Sequence, residues 1–130
     1  VHPQRPGYYV DRGVLRLEDD AEGAMADFDQ ALELAPHPLA YNNRAFLHRL
    51  AGNHQAAIED AKAALAQAGE HPIAYATLAE IYADLGDREH FYQYLELALQ
   101  HFYEDKVDAM MEPAFEPFVR EARFQQLISQ

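Results

Sequence analysis

Apolar residues recur every three or four positions along much of the chain, as in Phe46, Leu47 and Leu50 and in Ile73, Leu78, Ile81 and Leu85. This is the period of an amphipathic helix. Paired stop and start signals stand between such stretches. Gly52-Asn53 and Gly86-Asp87 put a glycine in the left-handed position after one helix and an Asn or Asp at the cap of the next. Pro38 and Pro72 suit the first turn of a helix. The pattern predicts helices at about 6–18, 21–34, 38–51, 54–67, 72–85 and 88–101.

The helices come in repeating pairs. Residues 41–64 and 75–98 align at a constant offset of 34, matching Tyr41 with Tyr75, Ala45 with Ala79, Gly52 with Gly86 and Ala64 with Ala98. A first unit is less regular. Tyr9, Arg12 and Gly13 align with Tyr41, Arg44 and Ala45 at offset 32, whereas Ala24 and Ala31 align with Ala57 and Ala64 at offset 33. A turn one residue shorter is therefore expected around Glu18 to Asp20, without the glycine found at 52 and 86. The recurring alanines, drawn from 23 in the chain, mark positions where two helices approach closely. One hairpin cannot bury its own apolar face, so neighbouring hairpins must stack.

The series Tyr9…Gly13…Ala24…Phe28…Ala31…Pro36, Tyr41…Ala45…Gly52…Ala57…Ala64 and Tyr75…Leu78-Ala79…Tyr82…Gly86…Ala98 resembles the tetratricopeptide repeat (TPR) over about residues 6–101. The resemblance implies an all-α fold: a right-handed superhelix of three helix-turn-helix repeats with a two-helix C-terminal cap. The whole of 1–130 is then one domain, with repeats at about 6–37, 38–71 and 72–101 and the cap at about 102–130. Phe91 and Leu95 stand where the family carries smaller residues, so the last helix of the array is expected to pack against the cap. The segment EPAFEPFVREARFQQLI, with Phe115, Pro117, Arg123 and Phe124, resembles the tail that closes many bacterial TPR arrays. It implies short helices at about 104–111 and 117–128.

Composition narrows the chemistry. The chain has no Cys, one Ser (Ser129) and one Thr (Thr77), which excludes disulfides and thiolate zinc sites and leaves little for a hydroxyl nucleophile. No Asn lies in a glycosylation sequon. Seven histidines, at 2, 37, 48, 54, 71, 90 and 101, show no metal-binding spacing. His37, His54 and His71 fall in loops or helix starts and read as exposed or capping. The paired carboxylates Glu18-Asp19-Asp20, Glu59-Asp60 and Glu104-Asp105 fall in turns or on helix surfaces, not in a pocket that would split their pKa values. Asp19, Asp20 and Glu22 also suit the positive end of a helix. No enzyme activity, metal or cofactor is expected. No apolar run approaches 18 residues and no basic, apolar leader opens the chain. A cytoplasmic location is expected, although a start at Val1 leaves room for a preceding segment.

The net charge is −12, which disfavours nucleic acid and anionic membrane. It is unevenly spread: −5 over residues 1–36, zero over 37–71, −4 over 72–100 and −3 over 101–130. Two readings stay open. The acidity steers a basic partner, or it keeps an alanine-rich solenoid soluble.

TPR arrays take peptides or helices in a concave groove lined by the first helix of each repeat. The resemblance nominates Val10, Asp11, Val14 and Leu17, then Asn42, Asn43, Phe46 and Arg49, then Ala76, Thr77, Glu80 and Ala83. The principal groove candidates are Val10, Val14, Leu17, Asn42, Asn43, Phe46, Arg49, Thr77 and Glu80. The family's chaperone-binding members grip a C-terminal carboxylate with Lys, Asn, Asn, Lys and Arg. The matching positions here are Val10, Val14, Asn43, Ile73 and Thr77. Only Asn43 agrees, so a carboxylate tail would lie unpaired and this ligand is rejected. The aromatic series Phe91, Tyr92, Tyr94, Phe102 and Tyr103 is either core beneath the cap or a partner surface. The resulting expectation is a protein–protein interaction module, an adaptor or scaffold of bacterial type. The alternatives are a dedicated acidic inhibitor or chaperone of one basic partner, of toxin-neutralising type, and a homo-oligomerising module. A monomer is favoured.

Overall fold

The computed structural model describes residues 5–103 and 105–130. His2 and Glu104, named above among the histidines and paired carboxylates, lie outside the described residues. The fold class is all-α. The elements are α1 (Pro6–Arg16), α2 (Ala21–Leu34), α3 (Pro38–Leu50), α4 (His54–Ala68), α5 (Pro72–Leu85), α6 (Arg88–His101), α7 (Lys106–Met110), a 3-10 helix (Pro113–Phe118) and α8 (Ala122–Ser129). They fall into two compact units, Val1–His71 and Pro72–Gln130.

The turns work largely as the glycine spacing predicts. Gly52 and Gly86 have φ of 83° and 70°, where only glycine avoids a Cβ penalty. After α3, the Gly52 N–H bonds to the Arg49 carbonyl at 3.0 Å and the Asn53 N–H to the His48 carbonyl at 2.8 Å. Gly86 and Asp87 repeat this with Ala83 and Tyr82 at 3.1 and 3.0 Å. Both are Schellman endings. The caps differ. The Asp87 carboxylate accepts the His90 N–H and also meets His90 Nδ1 at 2.8 Å. Asn53, expected to cap α4, makes no side-chain cap bond. A charged oxygen is the stronger acceptor, and at Asp87 the His90 ring holds it in place. The first hairpin does have the short turn. Leu17 stays in the right-handed region, so no glycine is required, and Asp20 accepts the Gly23 N–H at 2.8 Å.

In the first unit, α1 packs on α2, α2 on α3 and α3 on α4. Val10, Ala24, Phe28, Ala31, Ala40 and Leu47 form a buried cluster. Gly13, aligned with alanines in the other hairpins, has a specific reason. A Cβ there would sit 2.6 Å from Phe28 Cε1, and that ring is fully buried. Each of these two hairpins also carries an internal ion pair. Arg12 donates to both oxygens of Asp27 at 2.7–3.1 Å, and Arg16 lies 3.3 Å from the same carboxylate. Arg44 grips Asp60 at 2.7 and 2.8 Å and reaches Asp29 at 3.0 Å. Asp27 and Asp60 are buried, and each carboxylate raises the pKa of its arginine through these bonds. The third hairpin has Leu78 and Tyr94 at the corresponding positions; Leu78 is fully buried and Tyr94 stacks on Tyr82 at 5.7 Å.

The second unit is closed by its C-terminal segment. The Phe91 ring lies 4.2 Å from that of Phe118, 5.3 Å from Phe115 and 6.5 Å from Phe124. Phe91, Leu95, Phe115 and Phe124 have no exposed surface. Glu121 ties the same segment to α6, accepting hydrogen bonds from Arg88 and, at 2.6 Å, from the Tyr92 hydroxyl. The Arg123 guanidinium lies 4.5 Å from the Tyr92 ring centre, within cation–π range. The helix expected over 117–128 is divided. Residues 113–118 form a 3-10 helix that ends at Phe118, and α8 starts only at Ala122.

Two expectations follow. Gly13→Ala overpacks Phe28 and is expected to destabilise the first unit by about 1–2 kcal/mol, overpacking exceeding the gain in helix propensity. Pairing it with Phe28→Leu should recover part of the loss in urea melts. The hydrogen bonds from Arg88 and Tyr92 hold the Glu121 carboxyl below its ordinary 4.5. Its contribution is therefore present above that value and is lost as pH falls through the lower, folded-state value. Glu121→Gln should flatten the acid limb of the stability curve below about pH 4.5, read by thermal melts at stepped pH.

Candidate functional site

The nine groove candidates divide by accessibility. Val10, Asn42 and Ala76 share one repeat position, and all three are buried, at 3, 5 and 5% exposure. Val10 belongs to the α1–α2–α3 core, so neither it nor Asn42 presents a side chain to solvent. Thr77 is buried as well, its hydroxyl donating to the Ile73 carbonyl at 3.0 Å. These three candidates serve the interior in this structure. The rotation of each helix about its axis decides this, and a difference of one residue, about 100°, moves a side chain from groove to core. Asn42 is a poor fit there, because its Oδ1 is sealed from solvent with no hydrogen-bond partner among the described residues.

Val14, Phe46 and Glu80 occupy the next column of the repeat, and none of them is buried. In the first unit the structure brings Val14, Leu17 and Phe46 together. With Leu15, Glu18 and Asp19 they line a cleft of about 510 Å³. Val14 is 46% exposed and Leu15 82%, while Leu17 and Phe46 rest partly on the core. Asn43 and Arg49 on α3 are half-buried, as is Glu80 on α5 of the second unit. Arg49 and Glu80 each engage another group within the chain.

Accounting for the carboxylates sharpens the charge pattern. Asp27 and Asp60 are consumed by arginines inside the first unit, as is Asp29 at its surface. Glu18 and Asp19 line the cleft and have no ion-pair partner among the described residues. A second depression adjoins it, lined by Leu17, Ala21, Glu22, Met25, Leu47, Leu50 and Ala51. The groove reading did not include it, because its residues flank turns and do not follow the inner helical face.

The remaining candidates fall elsewhere. His71, read as exposed or capping, is 7% exposed, and burial lowers its pKa. His37 is half-buried with Nδ1 sealed. Of the aromatic series, Phe91 and Tyr92 are core, while Phe102 is 41% exposed. Burial pushes up the pKa of Tyr103. Among the described residues no group of three His, Asp or Glu side chains could hold a metal ion, and no helix is long and apolar enough to cross a membrane.

Successive two-helix hairpins with small residues at their contacts define a helical-repeat protein. Residues 73–100 match the family model of the tetratricopeptide repeat. A stretch of 75 residues, 56% of the chain, is 44% identical to the tetratricopeptide repeat protein 36 homolog of Nematostella vectensis. The match covers 41% of that protein, so the chain spans less than half the length of this curated relative. No solved structure matches the chain significantly. Residues 73–100 are thus similar to one tetratricopeptide repeat, and the chain resembles a tetratricopeptide-repeat protein over 75 residues. The relative is an animal protein, and the comparisons lend nothing to the bacterial type expected from the tail.

Removing the unsatisfied amide oxygen of Asn42 should stabilise the fold. Asn42→Ala, which installs the residue found at position 76, is expected to gain about 1 kcal/mol, measured as a higher denaturation midpoint in urea.

Proposed function

We propose that the protein is an interaction module that seats an apolar segment of a partner protein in the cleft of Val14, Leu17 and Phe46. The observation that carries this is the combination of exposure and support. Val14 and Leu15 are largely open to solvent, beside a Phe46 already anchored on the core. Rigid helices position such side chains more reliably than loops do, and an aromatic on a firm base is the usual anchor of an interface. Asn43 and Arg49 on the same helix would supply polar contacts for orientation.

A basic partner is the finer reading, in the manner of a dedicated inhibitor or chaperone. It is favoured by Glu18 and Asp19 on the cleft, which have no ion-pair partner among the described residues and would speed encounter with a cationic surface. The same acidity opposes self-association, which supports a monomer, and a cytoplasmic role is consistent with these features. Val10, Ile73 and Thr77 stand where a carboxylate clamp would need cations, so a partner's acidic C-terminus is not the proposed ligand. The proposed role is binding, not catalysis, and calls for no metal or cofactor.

Phe46→Ala should weaken partner binding by about tenfold or more, the worth of one buried aromatic, with far-ultraviolet circular dichroism unchanged. Wild-type affinity in that variant would remove the cleft assignment. Affinity should also fall between low and high salt if the partner is basic.

A further inference from the structure

We infer that the turn edge of the first unit carries a second docking site, next to the cleft, that takes a basic amphipathic helix of a partner protein. This rests on the interaction-module reading but uses a different surface. Leu17 and Ala21 flank the turn between α1 and α2, and Leu50 and Ala51 end α3 at its own turn. With Met25 and Leu47 they enclose an apolar depression of about 410 Å³. Leu50 stands 64% exposed at its mouth. The short first turn holds Asp20 back as a cap on α2 and puts no side chain of its own, apart from Leu17, into the hollow.

The chemistry around the hollow selects its occupant. Glu18, Asp19, Asp20 and Glu22 crowd the adjoining turn and helix start. Of the two cations next in sequence to lining residues, Arg16 lies 3.3 Å from the buried Asp27 carboxylate and Arg49 engages another group within the chain. The hollow therefore offers apolar walls beside an acidic rim. A helix with a large apolar side chain on one face and Lys or Arg beside it satisfies both at once: the apolar group leaves water and the cations meet the carboxylates. A second copy of this chain would bring the same acidic rim against itself, at a net charge of −12 per copy, and like-charge contact opposes it. Anionic lipid is opposed on the same ground.

The probe is a synthetic helical peptide with Leu at i, i+3, i+4 and i+7 and Lys on its flanks, titrated against the full chain by fluorescence anisotropy. One control peptide has Ser for each Leu, and another has Glu for each Lys. We expect both controls to bind at least tenfold more weakly. Leu50→Ser and Ala51→Arg, both at exposed positions, should each weaken the Leu/Lys peptide by about tenfold, roughly one leucine's burial, with unchanged circular dichroism. Phe46→Ala should leave it within about threefold. No binding of the Leu/Lys peptide, or equal binding of the Ser control, overturns the proposal. Sensitivity to Phe46→Ala but not to Leu50→Ser moves the peptide into the cleft, which overturns the edge site while leaving the module reading intact. A dimer seen by light scattering and dispersed by Leu50→Ser assigns the edge to a second copy and also overturns it.

Discussion

A helix in water can hide only one stripe of its surface against a single neighbour, and a two-helix hairpin leaves both partners half covered. Everything in this chain follows from meeting that constraint repeatedly. Close approach needs small side chains at the crossing points, which explains the wholly buried Ala24, Ala31, Ala45, Ala57, Ala64, Ala79 and Ala98. Where the inner volume is larger, one big residue fills it and its neighbour shrinks. Phe28 lies over Gly13 in the first hairpin, so the departure from alanine at position 13 is a consequence of packing. At the C-terminal side the constraint appears as Phe91 and Leu95, too large for a regular repeat contact and both fully buried, with Phe91 enclosed by Phe115, Phe118 and Phe124.

The charged groups divide along the same lines. Carboxylates that face inward are met by arginines of the same unit, as with Asp27 and Asp60. Breaking such a pair costs more than making it gains, so these residues fix how the hairpins close without adding much net stability. The acidity that remains available for partners is therefore smaller and more local than the formal charge suggests. In the first unit it gathers at Glu18, Asp19 and Glu22, beside the apolar side chains that the core leaves exposed. This apolar surface, next to carboxylates with no ion-pair partner among the described residues, is what the proposed partner would meet.

Much of this architecture was legible in the sequence, and the parts that were not share a cause. Helix limits followed from signals local in sequence: prolines at 38 and 72, glycines at 52 and 86, and Asp87 as a cap. The short first turn showed as a change of offset between Gly13 and Ala24. The Arg12–Asp27 and Arg44–Asp60 pairs were half visible, since Arg12 and Arg44 align at the same offset as their neighbours, but side-chain reach across a hairpin is not written in periodicity. The groove list failed at Val10, Asn42 and Thr77 because inner face and interior are one residue, about 100°, apart around each helix, and tertiary packing sets which residue faces where. The break before α8 was not read either: one helix was expected over 117–128, whereas the 3-10 helix ends at Phe118 and α8 begins at Ala122.

The central claim is that the first unit presents its apolar, acid-rimmed side to a protein partner. Amide hydrogen exchange tests it most directly, measured on the free protein and on its complex with a partner recovered by affinity capture and then purified. The account predicts slowed exchange over residues 14–22 and 46–51, with α2 beyond Met25 and α4 little changed. Protection confined to α6 and the C-terminal segment, with residues 14–22 and 46–51 unaffected, would contradict it.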